Sequence, residues 1–145
     1  MEKRLYFLLN LAQHALRKHV DGQSLKRLGL TSAQMGVLQF LARRESCTLG
    51  ELAVGIGVKN AAITGLMART ERTGCIVSRK SREDARATEI VLTTKGRDKV
   101  REVKALNHEL NAQLRGGFSD DEIDVVLRFL EHVLTNVAGQ APPPS

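Results

Sequence analysis

Between Gly74 and Thr93 the apolar pattern changes its period, and this change limits the folds open to the chain. Before it, Ile63, Leu66 and Met67 recur at helical spacing. After it, Val100, Val103, Leu106, Leu110 and Leu114 do so again. In between, CIVSR and ATEIVLT alternate with period two around the charged segment KSREDAR. That is a β-hairpin with a long charged loop. Strands this short are not stable alone and must pack on helices. The expected class is therefore mainly α with a small β-hairpin (α+β).

The helical segments carry their own start signals. Lys3 to His19 sets Leu5, Leu8, Leu9, Ala12, Ala15 and Leu16 on one wide face, and DGQSLKRLG is expected to break it. Thr31 with Gln34, Thr48 with Glu51, and Ser119 with Glu122 each have capping-box spacing. Gly55 and Gly57 mark the end of the short helix after Thr48. A further helix is expected from Asn60 to Thr73, closing on Gly74. Thr70 lies on its apolar side, either as a satisfied buried hydroxyl or where that side narrows. Thr93 or Thr94 opens a long helix to Leu114. The last helix runs from Ser119 to Val137, and AGQAPPPS, residues 138–145, is expected to be disordered.

Residues 1–137 thus read as a single unit. A compact block at 30–94 is flanked by helices at 3–20 and 95–137. The flanking stripes are too apolar to lie alone in water, which favours a symmetric homodimer built on them; a closed monomeric bundle is the alternative.

Composition narrows the function. The net charge of +6 favours a polyanionic partner, and an aromatic content of 3% disfavours base stacking on aromatic platforms. No apolar run approaches the roughly 20 residues of a membrane span. The amino-terminal run is interrupted by Asn10 and Gln13, so it reads as an amphipathic helix, and a cytoplasmic protein without membrane contact is expected. Cys47, in the polar RRESCT, is the thiol expected to be exposed; Cys75 reads as a core residue. His14, His19, His108 and His132 show no ligand spacing, so neither a metal nor another cofactor is expected. Neither a GxGxxG, a P-loop nor a GxSxG motif is present, and no enzyme activity is expected.

Two helices joined by a tight Gly-containing turn and followed by a charged hairpin form a winged helix-turn-helix pattern. Its second helix would enter the major groove of double-stranded DNA. Lys59 and Asn60 lie at that helix's start, with Thr64 and Arg69 on the same polar side. Asn can pair with adenine, and Thr can reach a base edge or a phosphate.

Three stretches then stand in order: LTSAQMGVL from Leu30, LGELAVGIGVKNAAITGLMARTERTG from Leu49, and DARATEIVLTTKG from Asp84. Through them the chain resembles the MarR family, the multiple antibiotic resistance regulators, from about Leu5 to Val137. The resemblance implies a winged helix-turn-helix with N- and C-terminal dimerisation helices. It also implies a dimer on a pseudo-palindromic operator, repression more often than activation, and release by a small aromatic or phenolic effector. Thr64 matches the recognition-helix hydroxyl residue, and Arg86 the arginine at or near the minor groove. Asp84 matches the aspartate that steadies the wing, here expected to face Arg69 or another basic group of the preceding helix. Arg82 adds charge at the tip, while Glu83 and Glu89 read as solvated side chains. Tyr6, His14, Arg17 and His108 match the region that lines effector sites.

The chain departs from the family at Ala61 and Ala62, where small polar residues are common, and at Gly65, where a long polar one is. These three positions belong to the DNA-facing set, and alanine methyls can contact thymine. They also motivate the alternative, a helical protein-interaction module of the same fold with little or no sequence-specific DNA binding.

Overall fold

The structure, a computed structural model, describes residues 4–140. Lys3 of the first expected helix and residues 141–145 of the expected tail lie outside them. The order is α1 (Leu5–Leu28), α2 (Ser32–Ala42), α3 (Leu49–Ile56), α4 (Asn60–Arg72), β1 (Ile76–Lys80), β2 (Thr88–Leu92), α5 (Thr94–Arg115) and α6 (Asp120–His132). Backbone contacts divide it into two compact units, one ending at Asn107 and one starting at His108.

All three capping boxes form. The Thr31, Thr48 and Ser119 hydroxyls accept the N–H of Gln34, Glu51 and Glu122 at 3.1, 3.1 and 3.2 Å. The Gln34, Glu51 and Glu122 side chains accept in return from the cap N–H groups at 2.8, 3.3 and 2.8 Å. Each box satisfies donors that a helix start leaves open.

The break expected after His19 does not occur. Helix α1 runs through Asp21 and Gly22 to Leu28 and ends on Gly29, whose φ of 69° suits glycine. The Asp21 carboxylate accepts the Ser32 N–H at the start of α2 (2.7 Å), and fully buried Ser24 donates to Asp21 O (3.3 Å). Tertiary bonding thus overrides a weak local propensity.

In the first unit the core gathers around Leu30, Leu38, Leu41, Leu52, Ile63 and Leu66, all buried. Val100, Val103 and Leu106 of α5 are buried as well. Phe40 packs over Gly55, where the ring leaves no room for a Cβ. The Thr70 hydroxyl is buried and donates to Leu66 O (2.7 Å), so the first of its two readings holds.

Strands β1 and β2 pair antiparallel with Arg79 opposite Glu89 and Ser78 opposite Ile90. The far edge of β2 is also paired: Cys47 and Ile90 exchange backbone bonds of 3.1 and 2.8 Å. Cys47 is therefore buried, not exposed, because pairing pulls its loop onto the sheet. Burial, and secondarily the charge of Glu51, pushes its thiol up to about 11. Cys75 is fully buried, as expected.

In the second unit α6 continues into a π-helical turn at Val133–Val137. Ala138 and Gln140 donate back to Val133 O and Leu134 O (2.9 and 2.7 Å), so these first residues of the expected tail are hydrogen-bonded. No residue of α6 is buried within this chain, and Leu127 is 50% exposed.

Candidate nucleic-acid interface

Helix α4 sorts its side chains by face. Ile63, Leu66, Met67 and Thr70 point into the core. Lys59, Asn60, Ala61, Ala62, Thr64, Gly65 and Arg69 are all exposed. The turn from α3 fixes where this helix begins. Gly57 (φ 70°) closes α3, and the Val58 N–H donates to Ala53 O at 3.0 Å. No side chain caps α4, so its first N–H groups are open, and a helix start of this kind favours an anion.

The hairpin ends in a tip with its own hydrogen bonds. Ser81 N–H donates to Ala87 O (2.9 Å) and Ala87 N–H to Asp84 O (3.0 Å). The Ser81 hydroxyl accepts from Glu83 N–H at 3.2 Å. Asp84 does not reach Arg69. Its exposed carboxylate accepts the Arg86 N–H at 2.9 Å, a turn aspartate does this locally, and the bracing is internal to the tip. Arg82 and Arg86 are exposed, and among the described residues no ion pair engages Arg86.

Below the tip, Arg79 Nε donates to Glu89 at 2.6 Å. Glu89 is half-buried and is not a merely solvated side chain; the Arg79 bond first, then a bond from Ser46, holds its carboxyl below the usual range. The register places these two residues opposite each other, which sequence spacing alone did not reveal. On the other face of the hairpin, Ser78 donates to Glu71 of α4 at 2.5 Å, linking β1 to that helix.

Tyr6 (79% exposed), His14 and Arg17 are exposed on α1. A shallow recess at His108 is lined by Asn111, Ala112, Arg115 and Gly116 and by none of the other three. Among the described residues no group of His, Cys, Asp and Glu is placed to hold a metal, and no helix is long and apolar enough to cross a membrane.

Residues 28–87, which contain the helix-turn-helix and the wing tip, match the sequence model of the MarR family. By that match these residues are MarR-like. The transcriptional activatory protein BadR of Rhodopseudomonas palustris is 29% identical over 94% of this chain and 80% of its own. The Staphylococcus aureus MepR–DNA complex superposes with a TM-score of 0.82 at 22% identity, covering 91% of this chain and 97% of MepR. Bordetella bronchiseptica BpsR, solved to explain regulation of its DNA binding by 6-hydroxynicotinic acid, gives 0.77 at 22%, over 88% and 96%. This chain shares the winged-helix fold of MepR and BpsR.

Proposed function

We propose that this chain is a MarR-family, sequence-specific DNA-binding transcriptional regulator and not an enzyme. The observation that carries this reading is the exposed face of α4 beside an ordered basic tip. Asn60 and Thr64 present base-reading groups, with Ala61 and Ala62 between them and Gly65 next to Thr64 giving close, apolar approach. Lys59, Arg69, Arg82 and Arg86 supply charge for the backbone or the minor groove. Asp84 fixes the peptide of Arg86 and so sets where that arginine starts.

The working form is a homodimer on a pseudo-palindromic operator, in the cytoplasm. Residues 30–94 form the DNA-binding domain, and α1, α5 and α6 form the dimer. Apolar side chains left exposed on α1 (Phe7, 58%) and on α6 support a second copy covering them. Repression is expected where the operator overlaps the promoter; BadR, called activatory, shows that relatives also serve activation. A small aromatic or phenolic acid is proposed to release the DNA, by likeness to BpsR, and Tyr6, His14, Arg17 and His108 are the first groups to vary.

The test is a fluorescence-anisotropy titration against the DNA upstream of the chain's own gene, with random competitor and a salt series. Tight, salt-dependent and sequence-selective binding is expected. Equal affinity for random duplex, or none, would transfer the chain to the interaction-module reading that Ala61, Ala62 and Gly65 raised.

A further inference from the structure

The two faces of the hairpin lead to different surroundings. Ser78, Thr88 and Ile90 face α4. Arg79 and Val91, one register position away, face a separate recess of about 540 Å³ beside the end of α2 and the start of α5. That volume lies within the range of about 300–1,000 Å³ typical of small-molecule sites. Leu41 and Val91, both buried, close its floor. Its polar lining is Arg44, Arg79 and Arg97 with Glu45, and Glu89, bonded to Arg79, adds a second negative charge against the three positive ones.

Each guanidinium is held in place by the protein while keeping donors unused. Arg44 lies 3.9 Å over the Phe40 ring and donates one bond to Phe40 O (3.3 Å). Arg79 uses Nε on Glu89, which leaves both terminal nitrogens. Arg97 donates to Leu92 O and to the Thr94 hydroxyl, each at 3.3 Å. A guanidinium carries five N–H donors, so each retains several. Like charges held around one concave surface favour an anion between them, and side chains already positioned lose less freedom on binding it.

We propose that this recess binds a small organic oxyanion. Its carboxylate or phosphate sits among Arg44, Arg79 and Arg97, and its apolar part lies on Ala42 and Leu92, above the Leu41 and Val91 floor. The same chemistry could serve a phosphate of duplex DNA. The concave shape and the absence of any α4 or tip residue from the lining favour the free molecule. None of Tyr6, His14, Arg17 and His108 lines the recess, so it is distinct from the effector groups named above. The site does not depend on the DNA-binding reading.

Benzoate and inorganic phosphate serve as probes, titrated into the full chain at constant ionic strength and followed by amide NMR shifts. Saturable binding with a Kd of about 1 mM or tighter is expected for at least one of them, with shifts at Leu41, Arg79 and Val91. The double variant Arg44→Gln/Arg97→Gln should weaken it at least about tenfold, a 1.4 kcal/mol change, and Arg86→Gln should not. Melting curves check folding; if the double variant fails to fold, Arg44→Gln alone and the wild-type shift map decide. Absence of saturable binding, shifts located elsewhere, or equal affinity in the variants would overturn the proposal. So would a double variant that binds the probes normally but loses about two units of salt slope on duplex DNA, because the arginines would then belong to the DNA footprint.

Discussion

Replacing Gly96 with alanine should destabilise the protein, against the sign that helix propensity predicts. Gly96 lies in the first turn of α5, and its N–H donates to the Thr93 hydroxyl at 3.0 Å. An exposed helical glycine replaced by alanine gains about 1 kcal/mol. Here the added methyl would lie 2.9 Å from the Cys75 carbonyl carbon and closer still to its oxygen, with Leu92 Cδ2 at 3.1 Å. Comfortable carbon–carbon separation is about 3.5–4.0 Å, so backbone must move. The carbonyl that must move also accepts the Thr93 N–H at 3.0 Å, the bond that joins the residue after β2 to the residue before β1. Overpacking costs about 1–3 kcal/mol, and loss of that bond adds about 1. Net of the propensity gain, about 1–3 kcal/mol should be lost. At fixed protein concentration, needed because a dimer's melting depends on it, that lowers Tm by roughly 3–10 °C. Gly65→Ala is the matched control. Its methyl would meet only Arg69 Nη1, the far end of a flexible side chain, at 3.2 Å, and a gain of up to about 1 kcal/mol is expected. Thermal and urea melts of both variants read the difference. A Gly96→Ala protein melting at or above wild type would show that the approach of α5 to Cys75 is not the constraint inferred.

Asp84→Ala should remove protection of the Arg86 amide from hydrogen exchange, whereas Asp84→Asn keeps an acceptor and should retain most of it; equal loss in both would assign the role to charge. Cys47 should label slowly with iodoacetamide at pH 7.5 in the native state, accelerating about tenfold per pH unit toward 11, and fast labelling at pH 7.5 would contradict its burial. Its folded value is raised above the ordinary 9.0, so its contribution to stability is complete below pH 9 and is lost as pH rises from 9 to about 11. Cys47→Ala should flatten that part of the stability curve. Glu89 shows the opposite sign. Its folded value is depressed below 4.5, so its contribution is present above that pH and fades as pH falls through the lower folded value; Arg79→Gln should bring the Glu89 titration in NMR back toward 4.5. In DNA titrations, Arg86→Ala should weaken all sequences alike and reduce the salt slope by about one if it meets phosphate. It should instead penalise A·T-rich flanks most if it reads minor-groove width.

What the sequence discloses is what depends on neighbours within a turn of helix. The Thr31, Thr48 and Ser119 boxes close over three residues, so spacing alone revealed them. The exposed face of α4 follows from the helical period for the same reason. The corrections come from partners remote in sequence. Asp21 and Gly22 stay helical because Ser32 N–H meets the Asp21 carboxylate. Cys47 is buried because it pairs with Ile90. Gly55 reads as an end mark of its helix, yet there the Phe40 ring, and at Gly96 the Cys75 carbonyl, fills the space of a Cβ. The basic recess is illegible for a related reason: Arg44, Arg79 and Arg97 belong to three different elements, and only the fold makes them neighbours.

The charged segment at the end of the hairpin owes its mixed signs to a division between internal order and aim. Order within the tip is local, since Ser81, Asp84, Arg86 and Ala87 bond to one another and would do so at any orientation of the hairpin. Aim is set further down. Ser78 ties one face of β1 to Glu71 of α4, and on the other face Arg79 pairs across the hairpin with Glu89 of β2, beside the basic recess. Adjacent residues on one strand therefore connect to the helix proposed to read the bases and to the recess proposed to hold an anion. A strand side chain cannot leave one face without changing the register of its neighbours. An anion that drew Arg79 away from Glu89 would open a cross-strand pair within the hairpin and leave the Ser78–Glu71 link to α4 in place.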